Sequence, residues 1–141
     1  MMGPVRPEPR RNVYEEPFWR LVEQHRLSLQ RCSGCGTFRY PPAGVCFRCL
    51  SSDYEWTSLR GTGSLVSWVV FHRQYFPELP PPYVVAAVRV DEGPVMIANL
   101  LNAERDRLRI GLPVRVVYEA ASSASGQSWQ IYQWEPAEAV S

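Results

Sequence analysis

The chain has 141 residues, of which 45% are hydrophobic, 12% aromatic and 21% charged, with a formal net charge of +1. These values are typical of folded globular proteins and exclude a disordered, collagen-like or strongly basic chain. All 15 basic residues are arginine, which we attribute to GC-rich coding rather than to selection for guanidinium groups at phosphate sites.

Residues 1–14 are rich in proline and charge and are predicted to form a disordered tail. They contain no apolar segment of the kind found in secretory signals. No later run approaches the roughly 18–20 apolar residues that a membrane span requires. We therefore expect a cytoplasmic protein with no membrane association.

A short helix is predicted to begin at Pro17, because proline suits the first helical turn and the preceding Glu15 and Glu16 suit the positive end of the helix dipole. The helix should end near Gln24 and bury an apolar stripe. After it, apolar and polar residues alternate with a period of two, which predicts a strand leading into Cys32.

Two C-x-x-C pairs follow, Cys32 with Cys35 and Cys46 with Cys49, and ten residues separate the pairs. Each pair can form a tight knuckle, and the hairpin between them can bring four thiolates to the corners of a tetrahedron. Disulfides are the alternative, but they are rare in the reducing cytosol. We predict a structural metal ion, because four protein ligands leave no open coordination position. Zinc is favoured by its availability and by its use in closed four-sulfur sites, and a rubredoxin-like iron site, which has the same ligands, is the alternative.

From residue 61 the composition becomes strongly β, and the glycines at 61 and 63 are predicted to form a flexible joint. Five strands are predicted at 65–71, 83–90, 95–101, 114–118 and 129–134. Between the third and fourth lies a short helical segment that Asn102 would cap and Gly111 would close. This order matches an OB-fold barrel. We therefore expect a mainly β protein, with the helix and metal ribbon at 15–60, the OB-fold at 61–136 and a tail at 137–141.

Several ordered motifs carry a resemblance to a known family: PFW at 17–19, LSLQRC at 27–32, YPP at 40–42, GTG at 61–63, PYVVA at 82–86 and DEG at 91–93. Together they resemble the zinc-ribbon and OB-fold proteins associated with acyl-CoA metabolism, long filed as a domain of unknown function. The match covers about residues 15–136. It implies an N-terminal helix, a rubredoxin-like zinc ribbon and a C-terminal OB-fold.

Members of this family accompany thiolase-fold enzymes. Some stand beside acetoacetyl-CoA thiolase and hydroxymethylglutaryl-CoA synthase, and others pair with thiolase-like aldolases that cleave the side chains of steroid CoA thioesters. The resemblance therefore implies a noncatalytic accessory subunit of a hetero-oligomer, which supports a thiolase-fold aldolase or thiolase and helps to bind acyl-CoA.

Binding of CoA requires guanidinium groups for its phosphates and an aromatic or apolar slot for its adenine. We expect these groups at the junction of ribbon and barrel, where the same residues could equally serve to pack the two units together. The candidates are Arg39, Arg48, Arg73, Phe38, Tyr40 and Tyr75.

The loop at 74–82 combines two aromatic residues with four prolines and is predicted to be exposed. It could bind an enzyme subunit or a pantetheine arm, or it could fold over the mouth of the barrel.

No catalytic residue is predicted. The two histidines, His25 and His72, are far apart in the sequence, the four cysteines are assigned to the metal, and the serines lack a triad-like context. One alternative is a nucleic-acid-binding zinc-ribbon protein, which is disfavoured because residues 61–141 hold six arginines against eight acidic residues. A stand-alone acyl-CoA carrier or hydrolase is disfavoured by the missing catalytic groups.

Overall fold

The structure is a computed structural model that describes residues 5–137. Most of the predicted tail at 137–141 and the first four residues of the predicted tail at 1–14 lie outside this range. Within the described part of the N-terminal tail, Val5 forms an isolated bridge with Ser122, and the Arg6 N–H donates to the Ser122 carbonyl at 2.9 Å. This part of the segment is therefore attached to the barrel.

The helix α1 spans Glu15–Glu23. It begins two residues before the predicted start, because the Asn12 Oδ1 accepts hydrogen bonds from the backbone N–H groups of Tyr14 and Glu15. Phe18 and Val22, one helical turn apart, are its buried residues. Among the described residues, no helix combines the length and the apolar character that crossing a membrane would require.

The ribbon contains a three-stranded antiparallel sheet in the order β2-β1-β3. Its strands are β1 (Ser28–Cys32), β2 (Phe38–Arg39) and β3 (Tyr54–Ser58). The central strand β1 is buried at four of its five positions. The first cysteine of the metal-binding motif, Cys32, therefore lies at the end of a strand that is largely buried.

The second sheet is five-stranded and antiparallel, in the order β6-β5-β4-β7-β8. The strands are β4 (Thr62–Phe71), β5 (Tyr83–Val90), β6 (Val95–Asn99), β7 (Pro113–Ser122) and β8 (Ser128–Pro136). Just after β6, Leu100 bridges to Trp134 of β8, and the Leu101 N–H donates to the Trp134 carbonyl at 2.8 Å. The two edge strands thus meet, which confirms the predicted mainly β chain with a barrel-like OB-fold.

One apolar core serves the helix, the ribbon and the barrel. Alternate residues of β4 and β5, such as Leu65 and Val88, point into the barrel beside Trp134. Leu29 of the ribbon and Phe18 of the helix belong to the same cluster of buried side chains. The packing therefore crosses the predicted boundary at residue 60.

Two local predictions are wrong. Thr62 and Gly63 lie within β4; Thr62 pairs with β7 and Gly63 pairs with both β5 and β7, so the segment is an ordered strand and not a flexible joint. The helical segment after β6 is a single 3₁₀ turn, Arg105–Arg107, with Glu104 before it and Leu108 after it. Asn102 adopts a left-handed backbone with φ 55° and does not cap this turn, and Gly111 does not close it.

Substitution Gly63→Ala should destabilise the barrel, because the added methyl carbon would lie 2.5 Å from the Arg89 carbonyl oxygen and 2.9 Å from the Val88 side chain. We expect a loss of about 1–3 kcal/mol in the free energy of unfolding, measured by urea denaturation. Ser67→Ala, at an exposed position of the same strand, is the control and should change little. Equal stability of the two variants would contradict the close approach.

Candidate metal centre and binding surfaces

The four cysteines lie on two similar knuckles. In the first, the Gly36 N–H donates to the Cys32 carbonyl at 2.9 Å, and in the second the Leu50 N–H donates to the Cys46 carbonyl at the same distance. Gly36 and Leu50 both adopt left-handed backbone conformations, with φ 79° and 64°. The two C-x-x-C motifs therefore fold alike, although only the first has glycine at the position that favours it.

The knuckles bring all four sulfur atoms within 4.8 Å of one another. The Sγ atoms of Cys32 and Cys49 are 3.4 Å apart, and those of Cys35 and Cys46 are 3.6 Å apart. A tetrahedral ion with metal–sulfur bonds of about 2.3 Å requires sulfur atoms about 3.8 Å apart, whereas a disulfide requires about 2.05 Å. The cluster fits one tetrahedral metal ion, and its four thiols are free of disulfides.

The electrostatics of the cluster also suit a cation. The Cys35 N–H lowers the pKa of the Cys32 thiol to about 6, and the Cys49 N–H lowers the pKa of Cys46. The Ser51 N–H lowers the pKa of Cys49, but the neighbouring sulfurs, Cys32 first, and burial outweigh it and raise that pKa to about 11. Thiolates held this close together repel one another unless a cation shares their charge.

Arg39, one of the predicted CoA residues, lies inside the ribbon and stabilises it. It is 1% exposed, and its guanidinium group donates to the carbonyls of Ala43, Ser51 and Asp53 at 3.0–3.4 Å. The group also lies over the ring of Tyr54, 4.9 Å from its centroid. Enclosed in this way, it has no access to a phosphate outside the ribbon.

Gln30 is a second buried polar residue of the ribbon and was not among the predicted site residues. Its side-chain amide makes two hydrogen bonds with the backbone of Ala43, at 2.8 and 2.9 Å. The alternating pattern of the strand suggests that Gln30 faces solvent, and only the neighbouring metal motif hints at buried support. Gln30 and Arg39 together hold the segment that leads into the second knuckle.

Three of the remaining predicted CoA residues line one cavity of about 470 Å³ between the second knuckle and the β5–β6 turn. They are Phe38, Tyr40 and Arg48, and Glu92 is part of the same wall. The Glu92 Oε2 accepts the Arg60 N–H at 2.8 Å, while its Oε1 is buried without a partner. We call this space the knuckle cavity.

The other two predicted CoA residues lie elsewhere. The Arg73 guanidinium is 5.6 Å from the ring centroid of Tyr75, and Tyr75 packs edge-on against Phe71. These residues follow the far end of the ten-residue strand β4, roughly 30 Å along it from the β5–β6 turn. The predicted single site therefore divides into the knuckle cavity, the ribbon interior and the region after β4.

The outward side of β4, β5 and β6 presents an apolar surface, which we call the outer face. Cross-strand pairing aligns Val69 with Val85, and Ala87 with Ile97. Val69 is 55% exposed and Ile97 is 56% exposed. The loop at 74–82 was predicted to be exposed, and its residues Tyr75 and Phe76 are exposed. Tyr75 packs against Phe71 and thereby extends the apolar surface beyond β4.

Neither histidine is part of a catalytic group in the described range 5–137. The ring of His25 stacks on Tyr118 at 4.6 Å, and its Nε2 lies 3.0 Å from the Gln130 Oε1. His72 is exposed just beyond the end of β4. No described carboxylate forms an ion pair with either ring.

Two family models match the chain in succession. The ChsH2 rubredoxin-like zinc ribbon domain matches residues 19–55, and the ChsH2 C-terminal OB-fold domain matches residues 56–119.

Several curated proteins are similar to the chain. It is 39% identical over 111 residues to a probable enoyl-CoA hydratase alpha subunit of Thermomonospora curvata, a match that covers 78% of the chain and 34% of that protein. It is 34% identical over 121 residues to the 3-oxo-4,17-pregnadiene-20-carboxyl-CoA hydratase alpha subunit of Mycobacterium tuberculosis, covering 86% and 37%. The chain thus spans about a third of the length of each. A DUF35 domain-containing scaffold protein of Pyrococcus furiosus is 28% identical over 106 residues, covering 71% of the chain and 74% of that protein.

Two solved structures share the fold. A chain of the structure described as the Ltp2-ChsH2(DUF35) aldolase superposes with a TM-score of 0.83 and 32% identity, and the match covers 93% of this chain and 100% of that one. A DUF35 protein of unknown function from Sulfolobus solfataricus superposes with a TM-score of 0.61 and 13% identity, covering 89% and 86%.

Substitution Cys46→Ala should abolish stoichiometric metal binding, because it removes a buried ligand from a cluster that needs four. We expect the metal content, measured by plasma mass spectrometry, to fall from one ion per chain to near zero. The free energy of unfolding should fall by about 3 kcal/mol or more. The control is Ser33→Ala, in the first knuckle, which should retain the metal. A Cys46→Ala protein that keeps one ion per chain would contradict the assignment.

Proposed function

Since the chain belongs to the ChsH2 family of zinc-ribbon and OB-fold proteins, part of the DUF35 family, we propose that it is a noncatalytic accessory subunit of a thiolase-fold enzyme. The observation that carries this proposal is the match to a chain of the Ltp2-ChsH2(DUF35) aldolase, which extends over that whole chain. The same match favours a retro-aldolase over a thiolase as the partner.

The proposed substrate class is an acyl-CoA thioester, with a steroid side-chain CoA thioester as the first candidate. This choice is supported by the pregnadiene-carboxyl-CoA named in one relative. The partner enzyme would supply the catalytic groups, since neither histidine of the described chain stands beside an acid or a nucleophile. Because the hydratase subunits are about three times as long as the matched region, we do not assign hydration to this chain.

The metal in this proposal is zinc. Four thiolates are the ligand set of structural zinc sites, and such a site has no open position for water or substrate. Zinc would hold the two knuckles together and thereby shape the knuckle cavity. The division into a ribbon unit at 15–60 and a barrel unit at 61–136 is part of the proposal, with the common core joining the two.

We place the partner enzyme on the outer face. Val69 of β4 and Ile97 of β6 are exposed on either side of the half-buried Val85 and Ala87 of β5. Such apolar surface is costly to expose to water, and a contiguous patch of it is typical of an interface core. The strands hold these side chains rigidly, so little conformational entropy is lost on docking. Arg73 and Arg89, both exposed at the margin of the face, would belong to a polar rim.

The knuckle cavity is the proposed contact with CoA. Phe38 and Tyr40 offer aromatic surface for an adenine, and the unpaired Glu92 Oε1 can accept a hydrogen bond from an exocyclic amino group. Arg48, exposed at the same wall, can bind a phosphate. Arg73 and Tyr75 are too far along β4 to share this contact.

Substitution Ile97→Asp should weaken the complex with a thiolase-fold aldolase partner by at least about tenfold, because it places a charge within the docking surface. The measurement is copurification of the two chains, followed by titration calorimetry. The matched control is Ile110→Asp, since Ile110 is 79% exposed and lies outside the outer face. Equal binding by both variants would remove the outer face from the proposal, and a parent chain that binds no such partner would refute the accessory role. Copurification of nucleic acid alone would favour the alternative.

Substitution Arg48→Ala should weaken binding of acyl-CoA to the assembled complex by about tenfold, since it removes one charge-assisted hydrogen bond. Arg20→Ala, on the exposed side of α1, serves as the control for a lost positive charge. Arg39→Ala should instead lower the free energy of unfolding, because it removes a buried guanidinium group that donates to three backbone carbonyls of the ribbon. An Arg48→Ala complex with unchanged affinity would place CoA elsewhere.

A further inference from the structure

A second cavity, of about 400 Å³, lies against the barrel, and none of its lining residues belongs to the ribbon. Four segments that are distant in sequence form its wall. They are the N-terminal segment at Arg6, the proline-rich loop at 79–82, the chain from Asn99 to Arg105, and Gln133 of β8. We call it the barrel-side cavity.

The wall of this cavity is positively charged. It includes Arg6 and Arg105 and no acidic residue. Among the described residues, neither arginine forms an ion pair with a carboxylate. The Arg6 Nη1 donates to the backbone carbonyls of Val5 and Glu78, at 3.1 and 3.5 Å, which anchors its guanidinium group at the wall. A fixed guanidinium group without a carboxylate partner favours an anion.

Two side chains of the wall each have a buried polar atom without a hydrogen-bond partner. Gln133 is 1% exposed; its Nε2 donates to the Glu119 Oε1 at 3.1 Å, while its own Oε1 has no partner. The Arg6 Nε is likewise buried and unpartnered. Buried polar groups are normally satisfied, so these two indicate a missing acceptor beside Arg6 and a missing donor beside Gln133.

The rest of the wall combines apolar side chains with two asparagines, Asn99 and Asn102. Leu79, Pro80 and Val84 contribute to it, together with Leu100 and Leu101. The volume is within the range of small-molecule sites, which commonly combine apolar walls with a few polar groups at fixed positions. An inorganic anion alone would leave the apolar wall and the Gln133 Oε1 without contacts.

We propose that the barrel-side cavity binds a small organic anion. Its carboxylate or phosphate lies between Arg6 and Arg105, and an N–H or O–H group of the same molecule donates to the Gln133 Oε1. Its carbon skeleton packs on the leucine and proline side chains. This site is independent of the partner enzyme and of the knuckle cavity.

The test uses the full chain alone, labelled with nitrogen-15 and with its metal bound, and pantothenate as the probe. Pantothenate carries a carboxylate, an amide N–H and hydroxyl groups, and panthenol replaces the carboxylate with a neutral hydroxyl group. We expect pantothenate to shift the side-chain amide signals of Asn99 and Gln133 and the Nε–H signal of Arg6. The affinity for panthenol should be lower than that for pantothenate by about tenfold or more. Phosphopantetheine shows whether the site prefers phosphate to carboxylate, and saturable binding of either anion supports the proposal.

Substitution Arg105→Gln should weaken pantothenate binding by about tenfold. The control is Arg107→Gln, in the same 3₁₀ turn, because Arg107 pairs with Glu104 at 3.2 Å and does not line the cavity. No saturable shift with pantothenate or phosphopantetheine, or equal weakening by both substitutions, would overturn the proposal. Since the partner enzyme is absent from this test, such a failure leaves the accessory role standing.

Discussion

The whole structure depends on one five-residue strand that is buried on both of its faces. Leu29 of β1 belongs to the apolar core shared with the barrel, whereas Gln30 makes its hydrogen bonds within the ribbon and Cys32 carries the first sulfur of the cluster. Just before the strand, the Leu27 N–H donates a hydrogen bond to the hydroxyl oxygen of Tyr118 in β7 at 2.8 Å. Alternation along a strand places successive side chains on opposite faces, so β1 connects the metal cluster directly to the core of the barrel.

The charges of the molecule are distributed so that each binding surface has a different character. The cysteine cluster holds four sulfur atoms close together and so favours a cation. The outer face is apolar, and each of the two cavities combines arginine with an oxygen atom that has no hydrogen-bond partner. A net charge near zero is compatible with this arrangement, because local fields and not the total determine which group binds where.

The sequence was sufficient to predict what depends on spacing and periodicity. The four cysteines are one cluster because C-x-x-C fixes local geometry, and β5 was predicted at its observed bounds because its apolar run ends at clear turns. The sequence could not place Arg39 or Gln30, because their burial depends on hydrogen bonds to a segment 4–14 residues away. The sequence also suggested one site for Arg73 and Arg48, because the distance that β4 puts between these two residues is known only from the folded structure. The glycine at position 63 suggested flexibility, whereas the structure requires glycine there because the Arg89 carbonyl oxygen lies too close for a side chain.

Because β1 serves both the metal cluster and the common core, the ribbon cannot open without exposing Leu29 and the neighbouring core to water. Loss of the ion and loss of the barrel should therefore be a single cooperative transition and not the melting of one module beside an intact one. The outer face and both cavities are then available only in the metal-loaded chain. Metal supply would act as a checkpoint on assembly, since an apo chain would lack the rigid surface that a partner enzyme must recognise.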